Sequence, residues 1–301
     1  MNQGRAVATT AFVCLSLIFS CAHAAPAGAA ATPVKYSTRP THASHEPVLR
    51  SSAALVLDTT HSAVLYSRRS DVALPIASIT KLMTALVVID AGQRLDEELS
   101  ISDEDRSLAK GAASRLTPGT RLTRADLMHL ALMASENRAA HALGRNYPGG
   151  IAACVIAMSA KARELGMANA HFVEPTGLSD ENVASPEDLS KLVMAAAKVP
   201  EIREFSTDSD YVVNVGRRLV RFHNTDSLVN KADWNIIVQK TGYIHEAGRC
   251  LVMQTVIEDR TVVIVLLNSF GKRTRVADAR RIRKWMESTL LAHAEALPAS
   301  T

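Results

Sequence analysis

The sequence predicts a mixed α/β fold of the α+β kind, with one antiparallel sheet assembled from both chain ends and a helical segment inserted between them. Three observations carry this prediction. Two short strand-like runs lie near residue 53, helix-periodic segments fill the middle, and three apolar β-branched runs followed by one helix close the chain. Together the runs make a five-stranded antiparallel sheet flanked by helices, with the helical insertion over about residues 92–200.

The chain begins with a segment that reads as a leader rather than as fold. Residues 1–10 carry a single charged side chain, Arg5, and an apolar run from Ala11 to Phe19 ends at the small-x-small pattern Ala22-His23-Ala24. That is the order of a cleavable secretory signal over residues 1–24, and the run is shorter than the roughly 20 residues a spanning helix needs. Acylation at Cys21 is a second reading, which Phe19 two places earlier fits poorly. Residues 25–46, rich in Ala, Pro, Thr and Ser without periodicity, read as a flexible tether. Residues 47–295 then form a single domain, with 296–301 as a tail.

Within the domain, Ala53–Leu57 and Ala63–Tyr66 are two strands joined by the Asp58–His61 turn. Residues 79–91 are apolar on nearly every face, which predicts a helix buried on all sides, with Gly92 as its C-cap. Thr123 with Asp126 forms a capping-box pattern opening a helix to about Ala134. Ile151, Val155, Met158, Ala162 and Leu165 recur at helical spacing up to Gly166. Ser185-Pro186-Glu187-Asp188 combines a cap, a proline at the first position and acids in the first turn, with Leu189, Leu192, Val193 and Ala196 as the buried face. Ile236–Tyr243, Cys250–Ile257 and Thr261–Leu267 are strands, the last two joined as a hairpin through Glu258-Asp259-Arg260, and a final helix covers about Val276 to Ala294.

Composition excludes several classes of function. With 47% hydrophobic and 21% charged residues the chain is globular, and a net charge of +4, one unit of it from Arg5, is too mild for a nucleic-acid binder. The basic cluster Lys272, Arg273, Arg275, Arg280, Arg281, Arg283 and Lys284 reads as a solvated helix face. Of four cysteines, Cys154 and Cys250 lie beyond the leader; both sit among apolar residues and read as buried free thiols. No cysteine–histidine spacing points to zinc, and His245-Glu246 lacks the second histidine of a zinc-protease helix.

Three short motifs can carry chemistry. Ser78-Ile79-Thr80-Lys81 opens the apolar helix, where residues three apart share a face and Ser78 Oγ can meet Lys81 Nζ. A lysine whose pKa is lowered by burial can take the serine proton, and the helix start favours developing negative charge. Alone the pattern is weak: it recurs at Ser107–Lys110 and Ser269–Lys272, and Ser78 can be a plain N-cap. Ser135-Glu136-Asn137, the one Ser-x-Asn in the chain, falls between two helices, where serine can relay a proton and asparagine can hold an amide; a capping turn is the bland alternative. Lys240-Thr241-Gly242, also unique, lies on a predicted strand before Tyr243, with a cation for a carboxylate, a hydroxyl beside it and a glycine permitting close approach; a strand-end turn is its bland alternative.

In this order, each on the element it needs, the three motifs resemble the signature of the penicillin-binding protein and serine β-lactamase superfamily. The chain resembles a low-molecular-mass D-alanyl-D-alanine peptidase over roughly residues 48–290. Pro75-Ile76-Ala77, Glu174-Pro175-Thr176-Gly177-Leu178 and Tyr243 leading to Ala247-Gly248-Arg249-Cys250 add to the likeness. Ser135-Glu136-Asn137-Arg138-Ala139-Ala140 and Tyr147-Pro148-Gly149-Gly150 point to the D-alanyl-D-alanine endopeptidase branch, the penicillin-binding protein 7 type.

The resemblance implies a β-lactamase/transpeptidase-like fold with Ser78 as nucleophile, Lys81 as its base and Ser135 as proton relay. Asn137, Lys240, Thr241, Gly242 and Tyr243 would bind substrate, with the Ser78 and Tyr243 backbone N–H groups as oxyanion hole. No metal or organic cofactor is implied. The partners would be peptidoglycan stem peptides and β-lactam antibiotics, with no nucleic acid and no integral membrane segment after signal cleavage, in the periplasm.

Four other readings stand beside the endopeptidase: a D-alanyl-D-alanine carboxypeptidase, a β-lactamase, a non-catalytic penicillin sensor and a wall protein with a dead site. Glu174 is the one positional candidate for a lactamase's water-activating glutamate, but Gly177-Leu178 after it favours a structural role.

Overall fold

Alternation decides where each strand goes. In the C-terminal strands Val263, Val265 and Leu267 pack in one cluster while Val262, Ile264 and Leu266 pack in another. Strands that are apolar on both faces belong in the middle of a covered sheet. The computed structural model describes residues 46–106 and 114–296, so the leader, most of the tether and the Ser107–Lys110 copy of Ser-x-x-Lys lie outside the described residues.

The chain runs through β1 (Ser51–Asp58), β2 (Ala63–Arg68), β3 (Leu74–Pro75) and α1 (Thr80–Asp90). It continues with β4 (Glu98–Ser100), β5 (Arg121–Thr123), α2 (Arg124–Met133), α3 (Asn137–Arg145), α4 (Gly150–Glu164) and β6 (Val183–Ala184). Then come α5 (Pro186–Ala196), α6 (Pro200–Thr207), β7 (Asp210–Val215), β8 (Arg218–His223), β9 (Asn235–Ile244), β10 (Gly248–Ile257), β11 (Arg260–Ser269) and α7 (Thr274–Ala296). The main sheet has the order β2-β1-β11-β10-β9, all antiparallel, so both chain ends build it, as the sequence predicts. One face packs α1 and the helices of the insertion; the other is covered by Ala279, Ile282 and Met286 of α7.

The expected caps are present. Thr123 and Ser185 each close a capping box, onto Asp126 and Asp188, and Pro186 takes the first turn of α5. Helix α1 is buried from Thr80 to Val88, matching its lack of a polar face. The β10–β11 hairpin is tighter than expected. Ile257 pairs with Arg260, and Glu258 and Asp259 sit at φ 46° and 59°, the paired positive values of a two-residue turn that suits strand twist.

Several elements were not legible. The β7–β8 ribbon, the two-stranded pairings β3–β6 and β4–β5, α3 and α6 have short or mixed patterns, and the segment between β2 and β9 carries α6, β7 and β8 past residue 200. The solvated reading of the basic cluster needs correction at Arg275, which is buried under the sheet, while Lys272, Arg273, Arg280 and Lys284 are exposed. Helical periodicity turns one residue of such a run inward, and only packing tells which. Cys154 and Cys250 are free and buried, with burial raising their thiols to about 12 and about 11, so both stay protonated. No described helix is long and apolar enough to cross a membrane.

Candidate active site

The nucleophile candidate sits on a strained turn. Ala77 has φ 47°, and Ala77–Ile79 form a single 3₁₀ turn before α1. Neither that turn nor α1 takes a side-chain cap, which removes the plain N-cap reading of Ser78. The third Ser-x-x-Lys copy is also separated by structure. Ser269 is buried and hydrogen-bonded to Ser51, while Lys272 is exposed.

A loop presses on this turn from outside. Gly177 has φ 78°, and a Cβ there would stand 2.0 Å from the Ala77 carbonyl oxygen. Glu174 organises the same loop: Oε2 accepts from the Thr176 amide and hydroxyl, both at 2.6 Å, and Oε1 from the amides of Gly177 (2.5 Å) and Leu178 (2.9 Å) and from Asn182 Nδ2 (2.8 Å). A carboxylate so occupied holds a loop rather than a water, in agreement with its structural reading. Gly177→Ala is therefore expected to destabilise the protein by about 2 kcal/mol or more, through a forced positive φ and a backbone clash. A melting temperature within a degree of wild type would refute that packing.

Lys81 is the centre of the arrangement. Its Nζ lies 2.8 Å from Ser78 Oγ, 2.7 Å from Asn137 Oδ1 and 2.6 Å from the Thr176 carbonyl oxygen. The side chain is 1% exposed, and burial lowers its pKa to about 7 against the opposing charges of Glu174 and Glu136. In its neutral form the amine has two N–H groups for Asn137 and Thr176, which leaves its lone pair for the Ser78 proton. The Thr176 contact had no sequence signal, because a backbone carbonyl belongs to every residue.

The second motif joins both sides of the site. Ser135, at φ 58°, turns the chain between α2 and α3, and Glu136 caps α3 on the Arg138 amide. The capping role and the site geometry thus coexist. Asn137 reaches Lys81, and Ser135 Oγ accepts from Lys240 Nζ at 2.9 Å. Lys240 is fully buried on β9. Burial first, then the charges of Lys81 and Arg275, hold it well below the ordinary lysine range, opposed by Asp226.

β9 is the edge strand of the sheet and lies against the nucleophile turn. A Cβ on Gly242 would come within 2.8 Å of the Ile76 carbonyl oxygen and 3.3 Å of the Ser78 nitrogen, so only glycine permits the approach. Thr241 Oγ1 shares a 2.6 Å hydrogen bond with Thr225 Oγ1, and Thr225 is itself tied to Met133 at the end of α2. From beneath, Arg275 of α7 donates to the carbonyls of Gly242 (3.0 Å) and Cys250 (3.3 Å). Thr225 and Arg275 were missed at the sequence level. Tyr243 is 55% exposed and carries the Arg249 guanidinium 4.5 Å over its ring. The structure thus gathers Ser78, Lys81, Ser135, Asn137, Lys240, Thr241 and Gly242 at one place, with Tyr243 at its rim. Among the described residues no group of His, Cys, Asp and Glu side chains is arranged to hold a metal.

A serine on a strained turn, a buried lysine within hydrogen-bonding reach of it, and a second serine–lysine pair against an edge strand define a serine peptidase of the penicillin-binding fold. Comparison with known proteins agrees. The family model for D-alanyl-D-alanine carboxypeptidase, peptidase family S11, matches residues 40–271, and the chain belongs to that family. It is 48% identical to a D-alanyl-D-alanine endopeptidase of Pseudomonas aeruginosa, over 80% of this chain and 78% of the relative. It is 44% identical to the Escherichia coli D-alanyl-D-alanine endopeptidase, over 81% and 79%. Among solved structures, the D-alanyl-D-alanine carboxypeptidase of Mycobacterium tuberculosis superimposes with a TM-score of 0.75 at 25% identity, covering 84% of this chain and 96% of that one. A Streptomyces DD-transpeptidase gives 0.73 at 26%, covering 79% and 97%.

Proposed function

We propose that this chain is a D-alanyl-D-alanine endopeptidase that hydrolyses D-alanine crosslinks in peptidoglycan through an acyl-enzyme on Ser78. The observation that carries the reading is the 2.8 Å contact between Ser78 and a lysine buried enough to titrate at about 7. Ser78 Oγ attacks the D-alanine carbonyl carbon while Lys81 takes its proton. The oxyanion is met by the Ser78 and Tyr243 backbone N–H groups. The C–N bond breaks, Ser135 passes a proton to the leaving amine, and Asn137 holds the donor peptide. Lys240 and Thr241 bind the carboxylate of the leaving residue, whose charge offsets the desolvation of the lysine. Water then cleaves the ester and restores the Ser78 hydroxyl.

The same site would be acylated by β-lactams, which present a reactive amide and a carboxylate at comparable places. Residues 1–24 would direct export to the periplasm, where the enzyme would remodel the wall and affect cell shape. The identity to two proteins named endopeptidases favours crosslinks over terminal D-alanine as substrate.

Purified crosslinked muropeptide dimers, incubated with the enzyme and analysed by mass spectrometry, test this directly. Monomers that retain the donor D-alanine are expected. Loss of only a terminal D-alanine would make the enzyme a carboxypeptidase, and rapid repeated turnover of penicillin would make it a β-lactamase. Lys240→Ala is expected to slow acylation by carboxylate-bearing β-lactams roughly 30-fold while the fold persists. Unchanged acylation kinetics would remove Lys240 from the site.

A further inference from the structure

We infer that Arg249, lying over the Tyr243 ring, forms a subsite for a carboxylate on the leaving stem peptide, next to the cleavage site. The inference rests on the endopeptidase reading, since a carboxypeptidase's leaving group ends at the carboxylate that Lys240 and Thr241 would hold, whereas a crosslink's leaving group continues as a second peptide.

Strand geometry places the subsite. Side chains alternate across a strand, and paired residues on neighbouring strands share a face. On β9 a Cβ at Gly242 would point at Ala77 and Ser78, so Thr241 and Tyr243 project from the opposite face. Thr241 pairs with Leu251, which packs under α7, and Tyr243 pairs with Arg249. The register between Thr241 and Tyr243 is unbroken, the only shift on this ladder lying at Gln254/Thr255. Tyr243 and Arg249 therefore continue the row that begins with Thr241, outward to solvent.

The chemistry of that row is cationic and open. The Arg249 guanidinium lies 4.5 Å over the Tyr243 ring and, among the described residues, has no acidic partner. Arg275 stands close enough to feel its charge, and the acid that acts on Arg275 is the buried Asp226. An arginine that lies over an aromatic ring and has no acidic partner keeps N–H donors free for a bidentate carboxylate. Tyr243 offers a wide apolar surface for the aliphatic part of the same residue, at little entropic cost.

The test compares wild type and Arg249→Glu on two dimers, one with free carboxylates on the acceptor stem peptide and one with those carboxylates amidated, with acylation by a labelled penicillin as reference. Expected is a loss of about tenfold or more in kcat/KM on the free-carboxylate dimer, a much smaller loss on the amidated dimer, and penicillin acylation within about threefold of wild type. Equal cleavage of both dimers by Arg249→Glu and wild type would overturn the subsite alone. A parallel loss of penicillin acylation would make Arg249 a support of the strand and also overturn it. Wild type that leaves both dimers intact would overturn the endopeptidase reading and the subsite together.

Discussion

Ser78→Ala is expected to abolish covalent labelling by penicillin and to lower peptide hydrolysis by roughly 10⁴-fold or more, with the melting temperature near that of wild type. In the proposed mechanism this hydroxyl forms the ester. Lys81 Nζ lies 2.8 Å away, and the other hydroxyl of the motif, that of Thr80, is turned to the Ala77 carbonyl oxygen. Removing one oxygen from a residue already 9% exposed leaves no large cavity, so the variant keeps its fold. Intact-mass spectrometry after incubation with a β-lactam reads the adduct directly. Undiminished labelling of Ser78→Ala would move the nucleophile elsewhere and remove the basis of the proposed mechanism.

The second large effect lies in pH and in Lys81. Its pKa is depressed to about 7, so the reactive neutral amine is the minority form in acid and the majority form above neutrality. The rate of penicillin acylation is expected to rise with pH through about 7 and to level off about one unit above. Below about pH 6 it should fall close to tenfold per unit. The sign follows from the role: a base must be deprotonated to accept, so protonation inhibits. Lys81→Arg keeps the cation but cannot lose its proton, and a loss of roughly 10²–10⁴-fold in acylation is expected. A profile flat between about pH 6 and pH 8, or an active Lys81→Arg enzyme, would show that Lys81 is not the base.

These two expectations differ in how far the sequence reached. That Ser78 and Lys81 can meet follows from three-residue spacing at a helix start, a local property. That Lys81 titrates near neutrality follows from its burial against the Glu174 loop and α3, and no local pattern encodes desolvation. The same division runs through the rest of the site. The Ser135–Lys240 contact joins residues 105 apart, and it exists because the edge strand β9 docks against the turn between α2 and α3. The basic run near the C-terminus looked uniform until α7 packed on the sheet and turned Arg275 inward to the Gly242 and Cys250 carbonyls.

Periodicity and punctuation alone determined the buried α1, the capping boxes at Thr123 and Ser185, the long C-terminal strands and a sheet built from both chain ends, because each is written in residues a few positions apart. The motifs, read jointly, determined which residues are candidates for chemistry. Tertiary structure alone decided that the three motifs share one site, that the Thr176 carbonyl and the Thr225 hydroxyl belong to it, and that Arg249 faces outward on Tyr243 while Arg275 faces in. Backbone carbonyls carry no sequence signature, and the burial of a charge depends on what packs against it from distant parts of the chain. The β7–β8 ribbon was decided at the same level, since its short mixed strands acquire their pattern from the neighbours that cover one side of them.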